Sequence, residues 1–381
     1  MTTDKPTNQP VLVACPLLFV LEPMEKQHLT YFKIENFKRF DSFEMSNLGQ
    51  FNLIVGDNNV GKTSVLEGLL FNEDIKKFIG NFSKVFLNRD KNGIHYGYNT
   101  DIAKFWNYTL KFGDKPLKFY TDSQTQPFLT AYLTDSESID LNSSDYLLHK
   151  VSGIIPKSWI KLHNSETDNS QSAAAYFEDA ILNPVELPFI SVNTSYDDDL
   201  VSYFYLFFNE NKQVRRELED NLKLIIPNLE EIRIHRFYID RDLIGLSIAN
   251  DDSLQPLTRY GDGTVKIFRL LMEIIVNQDR RFMVDEIGSG IHFTRLTNYW
   301  KTIIQLCGKY NVQLFATTHS LECQQAFIEA LEDSEMQQYQ KDARNISLIE
   351  NKQGEVKAIT YDFEQFEYAL NIGFNTRGGK R

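Results

Sequence analysis

Eight consecutive residues, Gly56-Asp57-Asn58-Asn59-Val60-Gly61-Lys62-Thr63, have the types and spacing to hold a phosphate chain. In the pattern G-x-x-x-x-G-K-[ST] the glycines let the backbone curl, so that successive N–H groups face the phosphate oxygens. Ser64 then opens a helix whose N-terminal dipole adds positive potential. Lys62 would reach the β- and γ-phosphates, and the Thr63 hydroxyl would ligand Mg²⁺. The expectation is a nucleotide site.

Two further strand ends could complete the chemistry. Arg281-Phe282-Met283-Val284-Asp285-Glu286 reads as a short apolar strand closing on two carboxylates, the Walker B pattern. Asp285 would hold Mg²⁺ through water, and Glu286 would polarise the attacking water. Asn311 to Thr318 reads as a third strand, ending at His319-Ser320, where an imidazole could sense the γ-phosphate. Tyr260-Gly261-Asp262-Gly263-Thr264 opens a helix from Val265 to Met272. Taken alone, this is an ordinary glycine turn with an Asp/Thr cap; taken with the rest, it is a second anion site at a helix N-terminus.

These groups need a scaffold. Phe51 to Val55 reads as a buried strand feeding the phosphate loop, and Ser64 to Leu70 as the helix leaving it. His28 to Phe37 alternates as a half-buried strand does, with Phe40 to Met45 as its hairpin partner. Lys115 to Tyr120 and Pro127 to Leu133 look like edge strands, and the polar tracts 134–145 and 164–173 like surface loops. Asp198 to Leu224 has helical spacing, Ile232 to Ile248 reads as strands, and a strongly patterned α/β segment runs from 256 to 331. The triplet Asp197-Asp198-Asp199 is read as a helix cap, since three adjacent carboxylates cannot all face one ion on regular structure.

Composition narrows the class. A chain of 381 residues with 42% hydrophobic and 13% aromatic residues can build a sizeable core. The net charge of −12 does not advertise nucleic acid, although local basic clusters occur at Lys212-Gln213-Val214-Arg215-Arg216 and Arg377-Gly378-Gly379-Lys380-Arg381. Three unpatterned cysteines (Cys15, Cys307, Cys323) argue against a disulfide framework and fit a cytoplasmic setting. No stretch reaches the roughly 20 apolar residues of a membrane span. Leu12-Val13-Ala14-Cys15 superficially resembles a lipoprotein site, but the polar residues before it do not make a signal sequence. Folding is expected to begin near Met24.

The order of these motifs resembles the ATP-binding-cassette ATPases of the SMC/RecF branch, and more closely the OLD-like ATPases of bacteria. The carriers are Asn36-Phe37-Lys38-Arg39-Phe40, Gly56 through Glu67, Asp262-Gly263, Asp285-Glu286-Ile287-Gly288-Ser289-Gly290-Ile291-His292, and Phe315 to Ser320. The resemblance covers about residues 29–75 and 226–375. It implies an α/β P-loop NTPase of ABC/SMC-head type, with a central mixed sheet, helices, N-terminal antiparallel strands and a partly helical insertion. The division would be a non-core extension at 1–23, an ATPase core over 24–75 and 226–381, and an insertion or lid over 76–225.

In that family two ATPs, each with Mg²⁺, lie between two heads of a homodimer or higher homo-oligomer. The resemblance implies that Lys62, Thr63, Asp285, Glu286 and His319 act on the nucleotide of their own chain, and Gly261, Asp262 and Gly263 on the partner's. Two departures stand out. Asp262 would place a carboxylate near a phosphate, and Gly288-Ser289 replace the usual Glu-Asn. Both bear on the hydrolysis rate more than on binding.

About sixty residues follow His319, too few for the TOPRIM nuclease domain of many OLD-like proteins. The effector would therefore be a separate chain, a nuclease or toxin, controlled by this ATPase in antiphage defence. The alternative is a RecF/SMC-like repair ATPase binding DNA directly, which would show a salt-dependent affinity for DNA. A transporter subunit would carry a Ser-Gly-Gly signature. A GTPase would need N-K-x-D, for which Asn351-Lys352-Gln353-Gly354 lacks the Asp.

Overall fold

The computed structural model describes residues 28–75, 77–82, 115–122, 125–135, 158–174, 189–190, 200–223, 225–238 and 241–373. The N-terminal extension over 1–23, the triplet Asp197-Asp198-Asp199 and the basic tail Arg377 to Arg381 lie outside the described residues.

An apolar strand without alternation must be covered on both faces. β3 (Phe51–Gly56) is buried at every position. Phe51, Leu53 and Val55 enter one hydrophobic core and Ile54 a second. The same division holds for β12 (Arg281–Val284) and β13 (Gln313–Thr318). Phe282, Val284, Leu314 and Ala316 join the first core, Met283 and Phe315 the second. β13 lies between β3 and β12, parallel to both. β14 (Ala343–Glu350) runs parallel on the other side of β3, and β15 (Val356–Tyr361) turns back antiparallel. A two-residue strand, β8 (Phe189–Ile190), closes the far edge against β12, so the sheet order is β15-β14-β3-β13-β12-β8.

The first core is filled by α2 (Leu200–Phe207), α3 (Lys212–Leu222), α4 (Asp262–Val276), α5 (Leu296–Lys309), α6 (Leu321–Glu332) and α7 (Phe363–Asn371). α4 is buried almost continuously from Thr264 to Ile275, so it is apolar on nearly every side. The second core lies under α1 (Lys62–Gly68) and an antiparallel sheet. That sheet begins with the hairpin β1 (Tyr31–Phe37) and β2 (Phe40–Ser46) and continues through β4 (Leu117–Tyr120), β5 (Leu129–Asp135), β6 (Ser158–Asn164) and β7 (Asn169–Ala174), in the order β2-β1-β4-β5-β6-β7.

The expected central mixed sheet and N-terminal antiparallel strands are therefore present. Two local expectations need correction. β4 and β5 are internal, each paired on both sides, with Leu117, Phe119, Leu129 and Ala131 buried in the second core. Their short, mixed sequences concealed long-range pairing to β1. The polar tract 164–173 is the β6–β7 hairpin: β7 lies at the sheet edge, where polar side chains keep access to water. Thr134 and Asp135 belong to β5, and 136–145 lie outside the described residues. Residues numbered between 76 and 225 thus supply strands to both sheets as well as α2 and α3.

A third sheet, β11 (Asp251–Pro256), β10 (Arg241–Ile248) and β9 (Leu229–Tyr238) in that order, leads through a 3₁₀ turn at Leu257–Tyr260 into α4. Among the described residues no helix is long and apolar enough to cross a membrane.

Candidate nucleotide site

The phosphate loop joins β3 to α1. Asn59 takes φ 64° and Gly61 φ 106°, the left-handed excursions that curl the chain back on itself. Gly61 is constrained twice. A Cβ there would also meet the Phe40 ring at 2.6 Å and the Arg39 side chain at 3.0 Å. The β1–β2 turn therefore braces the loop from outside, where Arg39 donates to the Asn59 carbonyl and pairs with Glu350 at 3.2 Å. Beside it, Lys38 pairs with Glu67 of α1, whose side chain is fully buried.

Lys62 is buried at the first position of α1, and its ammonium donates to the carbonyls of Gly56 at 2.8 Å and Asp57 at 3.1 Å. Burial holds its pKa below the ordinary lysine value, while Glu286, Asp285 and Asp57 pull it back up. The amine is thus held across the mouth of the loop, where a phosphate chain would meet it.

Strand pairing brings the remaining predicted residues to the same place. Thr63 Oγ1 donates to Asp285 Oδ2 at 2.9 Å. The Thr317 hydroxyl donates to Asp285 Oδ1 at 2.6 Å and accepts from the Glu286 amide at 2.9 Å. His319 Nδ1 lies 2.7 Å from Glu286 Oε2; a carboxylate only accepts, so Nδ1 carries the proton. One hydrogen-bonded line therefore runs from Thr63 through Asp285, Thr317 and Glu286 to His319. Ile190 of β8 contributes its carbonyl to the Asp285 amide at 2.8 Å.

The donor set suits Mg²⁺. A hydroxyl and a carboxylate oxygen 2.9 Å apart are hard ligands. Among the described residues no group of three or more His, Cys, Asp or Glu side chains could hold a metal. A cation here would complete its shell from phosphate and water, as Mg²⁺ does in such sites.

Gly261, Asp262 and Gly263 are not part of that line. They form the N-terminus of α4, with Gly261 at φ 84° and Asp262 exposed in the first turn, where the helix dipole favours a carboxylate. A Cβ on Gly263 would stand 2.5 Å from the Gly290 carbonyl oxygen, so this turn packs directly on the loop after Walker B. Gly288 in that loop is equally confined, because its Cβ would meet Cys323 Sγ at 2.8 Å.

Sequence reasoning missed Lys266. Its buried ammonium donates to the carbonyls of Glu286 at 2.8 Å and Ser289 at 2.9 Å, tying α4 to the loop after β12. Burial lowers its pKa to about 8, against 10.5 ordinarily. The available signal was one lysine inside the apolar run Val265-Lys266-Ile267-Phe268.

Between the two values the unfolded chain holds the extra proton, so the burial penalty is present in full below about pH 8. It is relieved as the pH rises toward 10.5, and at about 1.36 kcal/mol per pH unit it amounts to roughly 3 kcal/mol. Lys266→Met should remove that penalty but deprive two carbonyls of their charged donor, the Glu286 carbonyl keeping the Ser289 amide at 3.0 Å. Denaturation across pH should therefore show the variant faring best against wild type below pH 8 and losing ground above it. Hydrolysis should fall at least about tenfold as the loop loosens. A stability difference that does not change with pH would refute this account.

Residues 28–180 match the model of an AAA ATPase domain. An "ATP/GTP phosphatase" of Helicobacter pylori (strain ATCC 700392 / 26695) is 23% identical over 337 residues, covering 79% of this chain and 86% of that protein. Among solved structures, an SmcHead bound to the C-winged helix domain of ScpA covers 90% of this chain and 100% of its own, at 11% identity and TM-score 0.46. The SMC head domain from Thermotoga maritima covers 88% and 100%, at 9% identity and TM-score 0.39. The phosphate loop on a parallel sheet, the strand-end carboxylates and the domain match make the chain a P-loop ATPase.

Proposed function

We propose that this chain binds Mg²⁺-ATP on residues 56–64, hydrolyses it with Glu286 as the base, and uses the ATP-bound state to join two copies. In this reading Lys62 neutralises the β- and γ-phosphates, Thr63 and Asp285 hold Mg²⁺, and His319 orients Glu286 and reports the γ-phosphate. The metal would neutralise charge on the phosphate oxygens. Gly261, Asp262 and Gly263 of one copy would close on the nucleotide of the other.

The observation that carries the reading is the separation of the two groups. The line from Thr63 to His319 is complete within one chain, whereas Gly261 and Asp262 are exposed on a turn that contributes nothing to it. Residues 24–75 and 226–381 would carry the nucleotide chemistry of the ATPase core, and 76–225, which lend that core β8, α2 and α3, would also carry the partner contacts. The joined heads would control a separate effector protein, a nuclease in bacterial antiphage defence, as in the OLD-like ATPases the sequence resembles.

Direct DNA binding has less support. Of the cluster Lys212 to Arg216, Arg216 lines a groove together with Glu217, Asp220 and Lys309, so charges of both signs meet there. Light scattering of the full chain with Mg²⁺ and a non-hydrolysable ATP analogue tests the proposal. A nucleotide-dependent rise in mass is expected. An unchanged mass would sink the head-joining mechanism, and a salt-dependent shift on duplex DNA would favour the repair ATPase.

A further inference from the structure

We propose that Thr317 is a positioning residue of the ATPase site, fixing which oxygen of Asp285 is left for the metal and holding Glu286 in its catalytic conformation. The inference rests on the ATPase reading of this site.

Parallel pairing of Val284 with Ala316 puts the next residue of each strand side by side at the sheet's end. Thr317 is fully buried there and serves three consecutive residues. Its hydroxyl donates to Asp285 Oδ1 at 2.6 Å and accepts from the Glu286 amide at 2.9 Å, and its carbonyl accepts from the Ile287 amide at 2.9 Å. A hydroxyl has a single proton, so these directions are set: the proton goes to the carboxylate and a lone pair faces the amide.

Two consequences follow for chemistry. With Oδ1 occupied, Asp285 presents Oδ2 toward Thr63 Oγ1 at 2.9 Å, and the carboxylate cannot swivel without breaking a buried bond. Glu286 has φ 51°, a left-handed conformation rare for a residue with a side chain. The bond from its amide to Thr317 holds it there, ending β12 and placing the carboxylate within 2.7 Å of His319 Nδ1. Valine has the same shape as threonine and would fill the space, but it could satisfy neither Asp285 nor the Glu286 amide. Thr318, adjacent and equally buried, uses its hydroxyl differently, accepting from the Ser320 amide at 3.1 Å. It is a matched control.

The test is a Mg²⁺ titration of fluorescent, non-hydrolysable ATP-analogue binding to the full chain, with turnover measured alongside. Thr317→Val is expected to raise the Mg²⁺ concentration for half-saturation about tenfold and to lower kcat at least tenfold. Metal-free nucleotide affinity should hold, because it depends on Lys62. Thr317→Ser should recover both quantities to within about threefold of wild type, and Thr318→Val should leave the titration unmoved. Should Thr317→Val fail to fold, Thr317→Ala is expected to give the same two losses. A Val or Ala variant with a wild-type titration, or a Ser variant no better than Val, would overturn the role. The titration needs no turnover, so a wild type that binds the analogue but never hydrolyses ATP would refute the ATPase reading separately.

Discussion

Lys62→Ala is expected to weaken ATP binding about a hundredfold or more while leaving the fold in place. Charged hydrogen bonds contribute about 1.5–3 kcal/mol each, and an ammonium bridging two phosphates makes at least two. Every 1.4 kcal/mol or so is a factor of ten in affinity. Although Lys62 is buried, the hydrogen bonds its ammonium makes among the described residues go to the carbonyls of Gly56 and Asp57, at the loop's own mouth. Truncation opens a small polar space that water can enter. Thermal denaturation should therefore move little, and a fluorescent analogue should report the loss of binding. Wild-type affinity in the variant would mean that residues 56–63 are not the phosphate site.

Glu286→Gln is expected to lower kcat by roughly a hundredfold to ten-thousandfold, the usual worth of a general base, with ATP affinity nearly unchanged. An amide oxygen can still accept from His319 Nδ1, so the 2.7 Å contact has a replacement and the loop keeps its shape. Only the capacity to take a proton from water is lost. Under Mg²⁺-ATP this variant should also accumulate the joined state proposed above. Hydrolysis within about threefold of wild type would place the base elsewhere.

The residues that announce themselves in the sequence act through local spacing. Gly56 to Thr63 is legible because curl, lysine and hydroxyl all follow within one turn of chain. Asp285, Glu286 and His319 are legible as strand ends, since an apolar run that stops at a charge marks where a sheet meets solvent. Thr317 and Lys266 were not legible, because their partners are set by tertiary register. Thr317 matters only once β13 pairs with β12, and Lys266 only once α4 packs behind residues 286–289. The antiparallel sheet was half legible for the same reason. The β1–β2 hairpin is local and could be read, whereas β4 to β7 join it across more than eighty residues of chain.

The two-residue strand β8 has a consequence out of proportion to its length. Its Ile190 carbonyl is the acceptor for the Asp285 amide, so the backbone of the residue proposed to hold the metal is anchored to a segment far from the other motifs in sequence. The proton on that amide is an inbuilt gauge. Its exchange with solvent should be slow while the bond to Ile190 is kept and fast if that bond opens. Loss of that one acceptor would therefore loosen Asp285 from the back side of the sheet, with no change at the phosphate loop.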